Sequence, residues 1–447
     1  MPFILKKHSI SGRLFMRAFI TLAVLLCFCA FTQSLYAQGG IGHTLEKVEV
    51  RGNIKTRAET IRQVLPIKQG DQLQKGDVER CTEVLERLSL FKTVLVNAKP
   101  GSDAGKAILV VYVQEKRFGG LGVSLEYTEL NGFGISADAH HANIGGTGKV
   151  MGASYTSGER FKSWGFHYTD PLLLRLNQSF HLQVTGSSAD RDLYRSSDSN
   201  IRGRYDLERI GASLGFGQPS PTRAYRLIFK YAFEAIQVGA FDKPTVLTNG
   251  GLFANEIESD VGREALSFIT LELHKQPTSV WGSKPGFDFG ARADISAEAV
   301  GSVSNFVRVR VGLHRHFQIY PNHMLSLGGR GGLIWGTPPF YERFYLDGEN
   351  QLRGVDRRDI GPEGGTHFFM AEAVYSVHIK PLGRAYTFAE AGGLRRPIPN
   401  TRIHREDTDF SVGIGFLLFN RVDISFGITT GTVIVKSHKF GGINIDL

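Results

Sequence analysis

From about Phe118 to the C-terminus the chain alternates apolar and polar residues with a period of two. Leu121, Val123, Leu125 and Tyr127 are interleaved with Gly122, Ser124, Glu126 and Thr128. Trp164, Phe166 and Tyr168 alternate with Gly165, His167 and Thr169. Tyr225, Leu227, Phe229, Tyr231 and Phe233 form a row opposed by Arg226, Lys230 and Glu234, and Val307, Val309, Val311 and Leu313 alternate with Arg308, Arg310 and His314. Val422, Ile424, Phe426 and Ile428 complete the series. Successive strand side chains point to opposite faces, so each row predicts a strand with one apolar and one polar face. Gly, Asn, Asp and Pro between the rows mark turns. In a soluble sandwich such apolar faces would meet one another. A transmembrane antiparallel β-barrel instead turns them to lipid, and closure leaves no unpaired backbone edge in hydrocarbon. Arginines on the polar faces suit a wet lumen. Residues 117–447 at roughly 20 residues per strand and connection give room for about 16 strands.

Residues 44–116 follow a different rhythm and predict a small soluble α+β domain. LEKVEVRGN reads as a strand ending at a Gly-Asn turn. Thr56 with Glu59 three residues on has the form of a capping box, and the helix it starts ends at Pro66. IKQGDQLQ reads as a connector. A second helix, from about Lys75 to Leu88, places Val78, Cys81, Val84, Leu85 and Leu88 on one face. FKTVLVNAKP and KAILVVYVQEK then form a hairpin around Gly-Ser-Asp-Ala-Gly.

Residues 1–37 read as a secretory signal peptide: Lys6, Lys7, Arg13 and Arg17 precede the apolar run Ala18–Phe31, and Ala37 is a small residue before the cut. The remaining chain then keeps a single cysteine, Cys81, so no internal disulfide is available. The formal net charge of +9 falls to +5 without that leader's four basic residues. The excess is scattered, with no basic stripe interleaved with aromatics, which argues against nucleic acid.

Among strand-and-turn sequence, Phe340 to Pro362 stands apart as a long polar loop, FYERFYLDGENQLRGVDRRDIGP. Long loops of this kind usually carry function. Its F-Y-L-x-G-E-N-x-L-R-G wording resembles the inward-folded surface loop of the BamA/TamA family of outer-membrane assembly proteins. Here the tip reads Leu352-Arg353-Gly354-Val355, with valine where that family has an aromatic. Residues 44–116 resemble a POTRA domain, in a single copy, through V-x-G-N, G-D-x-L, L-x-x-L-x-x-F-x-x-V and a final V-x-E. Asn143–Gly148 is similar to the family's N-(L/F)-x-G-x-G turn, and Tyr168–Pro171 to its (F/Y)-x-x-P.

The resemblance implies that the arginine folds into the lumen against an aromatic and an acid on a late strand. The matching positions are Phe388 and Glu390, which alternation puts on one face, with Gly354 allowing close backbone approach. The family's second acid precedes a proline by four residues. With Pro381 that position holds Val377, and Glu372 lies five residues earlier, so Glu372 enters as a candidate partner. A weak seam between first and last strands is also implied, near Gly120, Gly122, Gly441 and Gly442. The chain ends in Leu447 where the family ends in an aromatic.

Enzymatic signatures are not in evidence along the chain. GGTGKV at 145–150 lacks the Ser or Thr of a phosphate loop, and Ser213 in Gly211–Gly215 lies in strand-like sequence, where a nucleophile elbow needs a strand-turn-helix. His140 and His141 are neighbours on a strand and point apart, which does not suit one metal ion. No cofactor is implied. The resemblance implies an outer-membrane assembly, insertion or translocation factor with its POTRA domain in the periplasm. Its partners would be unfolded outer-membrane clients, outer-membrane lipid and accessory envelope proteins. A passive porin with a docking domain and a dedicated two-partner-type secretion pore are the rival readings.

Overall fold

A computed structural model describes residues 40–446 except 129–130, 172, 174–177, 196–197, 218–224, 240–261, 276–284, 347–351, 354–363, 398–403, 419–421 and 430–431. The leader at 1–37, Gly354 and Leu447 lie outside the described residues.

The N-terminal region is a four-stranded sheet in the order β2-β1-β4-β3. Its strands are β1 (Gly40–Arg51), β2 (Gln72–Gln74), β3 (Phe91–Pro100) and β4 (Lys106–Glu115), with helices α1 (Ala58–Val64) and α2 (Asp77–Arg87). β1 and β4 run parallel at the centre, and β3 and β4 form the expected antiparallel hairpin. Leu45, Ile61, Val64, Cys81, Leu85, Leu109 and Val111 share one buried core between helices and sheet. Burial, and secondarily the nearby Asp77, push the Cys81 thiol up to about 12, so it packs as a small apolar residue.

Two local readings change. The connector contains β2, a strand of only three residues, too short to show a period. The capping box does not form: Arg57 is the N-cap of α1, and no side chain caps it. Thr56 is used elsewhere. Its amide donates to Glu115 Oε1 at 2.7 Å, and its hydroxyl accepts from Asn143 Nδ2 at 2.8 Å. Asn143 opens the N-I-G-G-T-G turn, so this turn seats the N-terminal domain on the barrel. Gly146 supplies the close approach. Its carbonyl accepts from the Arg57 amide at 2.9 Å and the Thr60 hydroxyl at 3.0 Å. At φ 74° a side chain there would be strained, and its Cβ would collide with the Lys55 carbonyl.

The rest is a closed sixteen-stranded antiparallel barrel. Its strands are β5 (Gly119–Thr128), β6 (Gly132–Ile144), β7 (Lys149–Gly158), β8 (Phe161–Asp170), β9 (Ser179–Arg195), β10 (Asp198–Gly217), β11 (Tyr225–Val238), β12 (Gly262–Lys275), β13 (Gly286–Ser296), β14 (Phe306–Tyr320), β15 (His323–Gly336), β16 (His367–Ile379), β17 (Gly383–Pro397), β18 (His404–Leu418), β19 (Val422–Thr429) and β20 (Thr432–Asp446). The alternating rows sort as their pattern requires. Tyr225, Leu227, Phe229, Tyr231 and Phe233 are all exposed on the outside, while Ile228 between them and Ile236 further along the same strand are buried. Among the described residues no helix is long and apolar enough to cross a membrane; the crossing is by strands.

The lumen departs from a uniformly wet interior. At the end where the 337–366 loop enters, Phe340, Tyr341, Phe344, Leu346 and Leu352 pack on Tyr205, Leu266, Phe268, Phe306, Phe368 and Met370 of the wall. The inward faces of β10 to β17 thus carry apolar residues that alternation alone would have made polar, because a loop covers them. Phe340 and Leu352 are each 1% exposed, and burying side chains of that size stabilises by about 2 kcal/mol apiece.

Candidate functional site in the barrel lumen

The loop begins with a single 3-10 turn at Phe340–Glu342. Phe344 and Gly365 then pair through two backbone hydrogen bonds of 2.9 and 2.8 Å, which draw the loop into a neck. Beyond the neck lies Arg353. Its backbone amide donates to Glu390 Oε2 at 2.8 Å and its Nε to Glu390 Oε1 at 2.6 Å. Nη2 is 3.4 Å from Glu372 Oε2. The guanidinium lies over the Phe388 ring, 4.4 Å from its centroid, and 5.4 Å from that of Tyr386. Planar Arg suits this setting: it forks onto a carboxylate and stacks on rings, which Lys does not reproduce.

The strands place the acids. Glu372 of β16 and Glu390 of β17 are direct cross-strand partners, so two carboxylates face each other on the lumen side. Like charges directly opposite are unfavourable. Arg353 sits against both, and His314 Nε2 of β14 lies 2.8 Å from Glu372 Oε1. His314 reaches across β15 because its register partner there is Gly328, where a Cβ would overlap the imidazole. The aromatics use the same device on the other side. Phe388 covers Gly413, and Tyr386 covers Gly415; a Cβ at either glycine would run into the ring.

Of the residues singled out from sequence, Arg353, Phe388 and Glu390 therefore lie together, and Glu372 joins them. His314, Tyr386 and the three glycines were not singled out. Register carries that information, and no single strand shows it.

The glycines assigned to the seam lie elsewhere, on the pairing of β20 with β5. Gly120 is in register with Asp446 and Gly122 with Asn444. Gly442 is in register with Ser124, and Gly441 falls at an irregularity between Phe440 and Gly442. The pairing has six register partners, against fifteen for β17 with β18, and is the shortest of the barrel among the described residues. Gly120 is also a notch into which the His140 ring leans; an added Cβ would sit 2.6 Å from His140 Cε1.

Comparison with known proteins bears on this arrangement. A family model for the Omp85 superfamily domain matches residues 143–419. One for the surface antigen variable number repeat, POTRA, matches residues 43–116. The outer membrane protein assembly factor BamA of Nitratidesulfovibrio vulgaris is 26% identical over 328 residues, 71% of this chain and 38% of its own length. The chain spans between 38% and 54% of the curated relatives it matches. Among solved structures, BamA from Haemophilus ducreyi lacking POTRA domains 1-3 superposes with a TM-score of 0.63 at 14% identity, covering 90% of this chain and 85% of that one. CdiB from Escherichia coli gives 0.63 at 12% identity, covering 90% and 75%. At those identities the likeness is one of fold.

Proposed function

The chain belongs to the Omp85 superfamily, an outer-membrane barrel with its POTRA domain in the periplasm, and on that footing we propose that it inserts client proteins into the outer membrane by opening the seam between β5 and β20. In this reading the POTRA domain receives an extended client segment along an open sheet edge, where main-chain hydrogen bonds serve with little sequence preference. The edges are β2 and β3, and the ten-residue β3 is the longer. Arg353 and its two acids hold the loop away from the seam, so that the strand pairing can separate while the opposite wall stays rigid.

The observation that carries the proposal is the bulged seam, whose six register partners are the fewest in the barrel among the described residues, one fewer than β12 with β13, β18 with β19 and β19 with β20. Each ladder hydrogen bond lost at the seam needs a replacement in lipid, and a client strand supplies it. The test is a disulfide across the register pair Val123 and Ile443, made as Val123→Cys/Ile443→Cys. Cys81 is buried and held as a thiol, so it does not compete. The oxidised variant should stop inserting clients into proteoliposomes, and reductant should restore insertion. Full insertion with the bond formed would overturn the proposal.

A passive pore is the second reading. It is favoured by a cavity of about 300 Å³ in the lumen beside the loop, lined by Ser154, Ser163, Gln183 and Thr185. A passive pore would conduct equally with the seam locked or free.

A further inference from the structure

Glu342 is 3% exposed and belongs to neither the Arg353 site nor the seam. One of its oxygens, Oε1, lies 2.7 Å from Arg209 Nη1 of β10. The other, Oε2, lies 2.6 Å from Arg308 Nη1 of β14. The same two arginines hold the backbone beside it: Arg209 Nη2 donates to the Tyr341 carbonyl at 3.1 Å and Arg308 Nη1 to the Glu342 carbonyl at 3.3 Å. Tyr341 is fixed in turn, its ring under the Arg209 guanidinium and its hydroxyl donating to Glu264 of β12.

This wall is rich in cations. Arg308, Arg310 and Arg292 all converge on Asp294, whose Oδ1 also accepts from Thr270. Arg209 has Glu234 at 3.3 Å besides Glu342. Arg292 also reaches Glu272 Oε1 at 3.3 Å, so four arginines face three acids of the wall, Asp294, Glu234 and Glu272, and the loop brings a fourth carboxylate. On β16 and β17 the signs are reversed: two acids of the wall, Glu372 and Glu390, take a cation from the loop. The anchors also stand on opposite sides of the Phe344–Gly365 neck, Glu342 before it and Arg353 after it. A break at one does not force a break at the other.

We propose that Glu342 is a second foot of the lumen loop, opposite in charge to Arg353, and that the loop leaves the lumen only when both feet let go. The opposed signs fix which foot goes to which wall, because a slipped or reversed loop would set a carboxylate against Glu372 and Glu390 or a guanidinium among Arg209, Arg292 and Arg308. Such like-charge placements are a way of excluding wrong seatings. The claim concerns the loop alone and stands whether or not the seam opens for clients.

The test uses the full chain in planar bilayers, with Glu342→Gln and Arg353→Ala made singly and together. The quantity measured is the fraction of time spent in the fully open conductance state. Each single variant should open intermittently, and the pair should be open at least about tenfold longer than either single, as for two separable contributions. A pair no more open than Arg353→Ala alone would overturn the proposal, since Glu342 would then act only through the Arg353 site. Glu342→Asp, which keeps the charge, should stay closer to wild type than Glu342→Gln. Equal opening of the two would assign the effect to packing and defeat the charge-keyed account. Should Glu342→Gln fail to fold, Arg308→Lys combined with Arg353→Ala probes the foot from the wall side. It keeps the charge and loses the fork, and it should also open longer than Arg353→Ala; no increase would count against a foot at Glu342.

Discussion

The barrel has two unlike halves. Strands β10 to β17 carry the loop, and their lumen faces present arginines, acids and aromatics in contact with it. Strands β18 to β20 and β5 to β9 carry the seam near their middle. There the lumen wall is Ser124, Ser136, Ser154, Thr156, Ser163, Thr185 and Ser187 with glycines between, and ion pairs sit near the rims, Lys149 with Asp170 at one and Arg160 with Asp192 at the other. Lipid demands a complete backbone ladder on both halves. The difference is in the second layer of interaction. The loop half is held by ladder and side chains, the seam half mainly by ladder. A fold needing one rigid wall and one separable wall obtains both from the same sheet by choosing where side chains are large.

The largest expected effect follows from removing the cation that the loop half is built around. Arg353→Ala leaves Glu372 and Glu390 opposed in a poorly solvated site, with His314 beside Glu372 and Arg330 acting on it at longer range. Breaking a buried charge pair from one side costs about 3 kcal/mol or more. The barrel should unfold at lower temperature, measured by loss of its compact electrophoretic form on heating, and Arg353→Lys should recover only part of the loss because it lacks the fork and the ring stacking. An unchanged unfolding temperature would erase the energetic distinction between the halves.

A smaller contrast can be read from paired substitutions of similar size. Gly332→Ala on β15 places a methyl against the Phe368 and Phe344 rings. Overpacking of this kind costs about 1–3 kcal/mol. Ser163→Ala, facing the lumen on β8, removes one hydroxyl from a wall with space beside it and should shift stability by less than about 0.5 kcal/mol. Urea titrations of the two variants in the same bilayer measure the difference. Equal shifts would mean that side-chain packing is shared round the barrel.

How much of this was legible in the sequence depends on the range of each interaction. Period-two rows such as Tyr225–Phe233 announced strands and their lipid faces, because alternation is a property of one strand alone. Phe388 and Glu390 shared a face for the same reason, and the resemblance of the loop pointed Arg353 at them. Glu372 was placed in doubt by counting back from Pro381, yet it faces Glu390 directly; register between strands is set by turn geometry and pairing, which counting along one strand does not reveal. His314 was hidden further, since its reach depends on a glycine in the strand between. Glu342 sat in plain view within FYERFYL, but its partners, Arg209 and Arg308, lie on strands 133 and 34 residues earlier in the chain. Thr56 shows the reverse error. Its spacing to Glu59 satisfied a local rule, and a tertiary partner, Asn143, claimed the hydroxyl.

That same Thr56 contact offers the gentlest probe of the seam half, which is braced from the periplasm by the turn joining β6 to β7. Glu115 is the organiser: its carboxylate accepts from the Lys55 amide at 2.9 Å and the Thr56 amide at 2.7 Å, presenting Thr56 to Asn143. Burial pushes its pKa up, but the amide donors from Lys55 and Thr56 outweigh that and hold it below the ordinary carboxylate value. A depressed folded value means that the contribution is fully present above the unfolded pKa and is lost as pH falls through the folded one. Because the group is partly exposed, the contribution is about 0.5 kcal/mol. Hydrogen exchange at the Thr56 amide, corrected for intrinsic rate, should be roughly twofold faster in Glu115→Gln at neutral pH. Wild type should converge on the variant only in acid, below the normal carboxylate range. If the variant also made the Val123→Cys/Ile443→Cys bridge form faster, the brace would reach the seam itself. If bridge formation were unchanged, the docking turn would steady the POTRA domain alone, and the weakness of the seam half would belong wholly to its own strands.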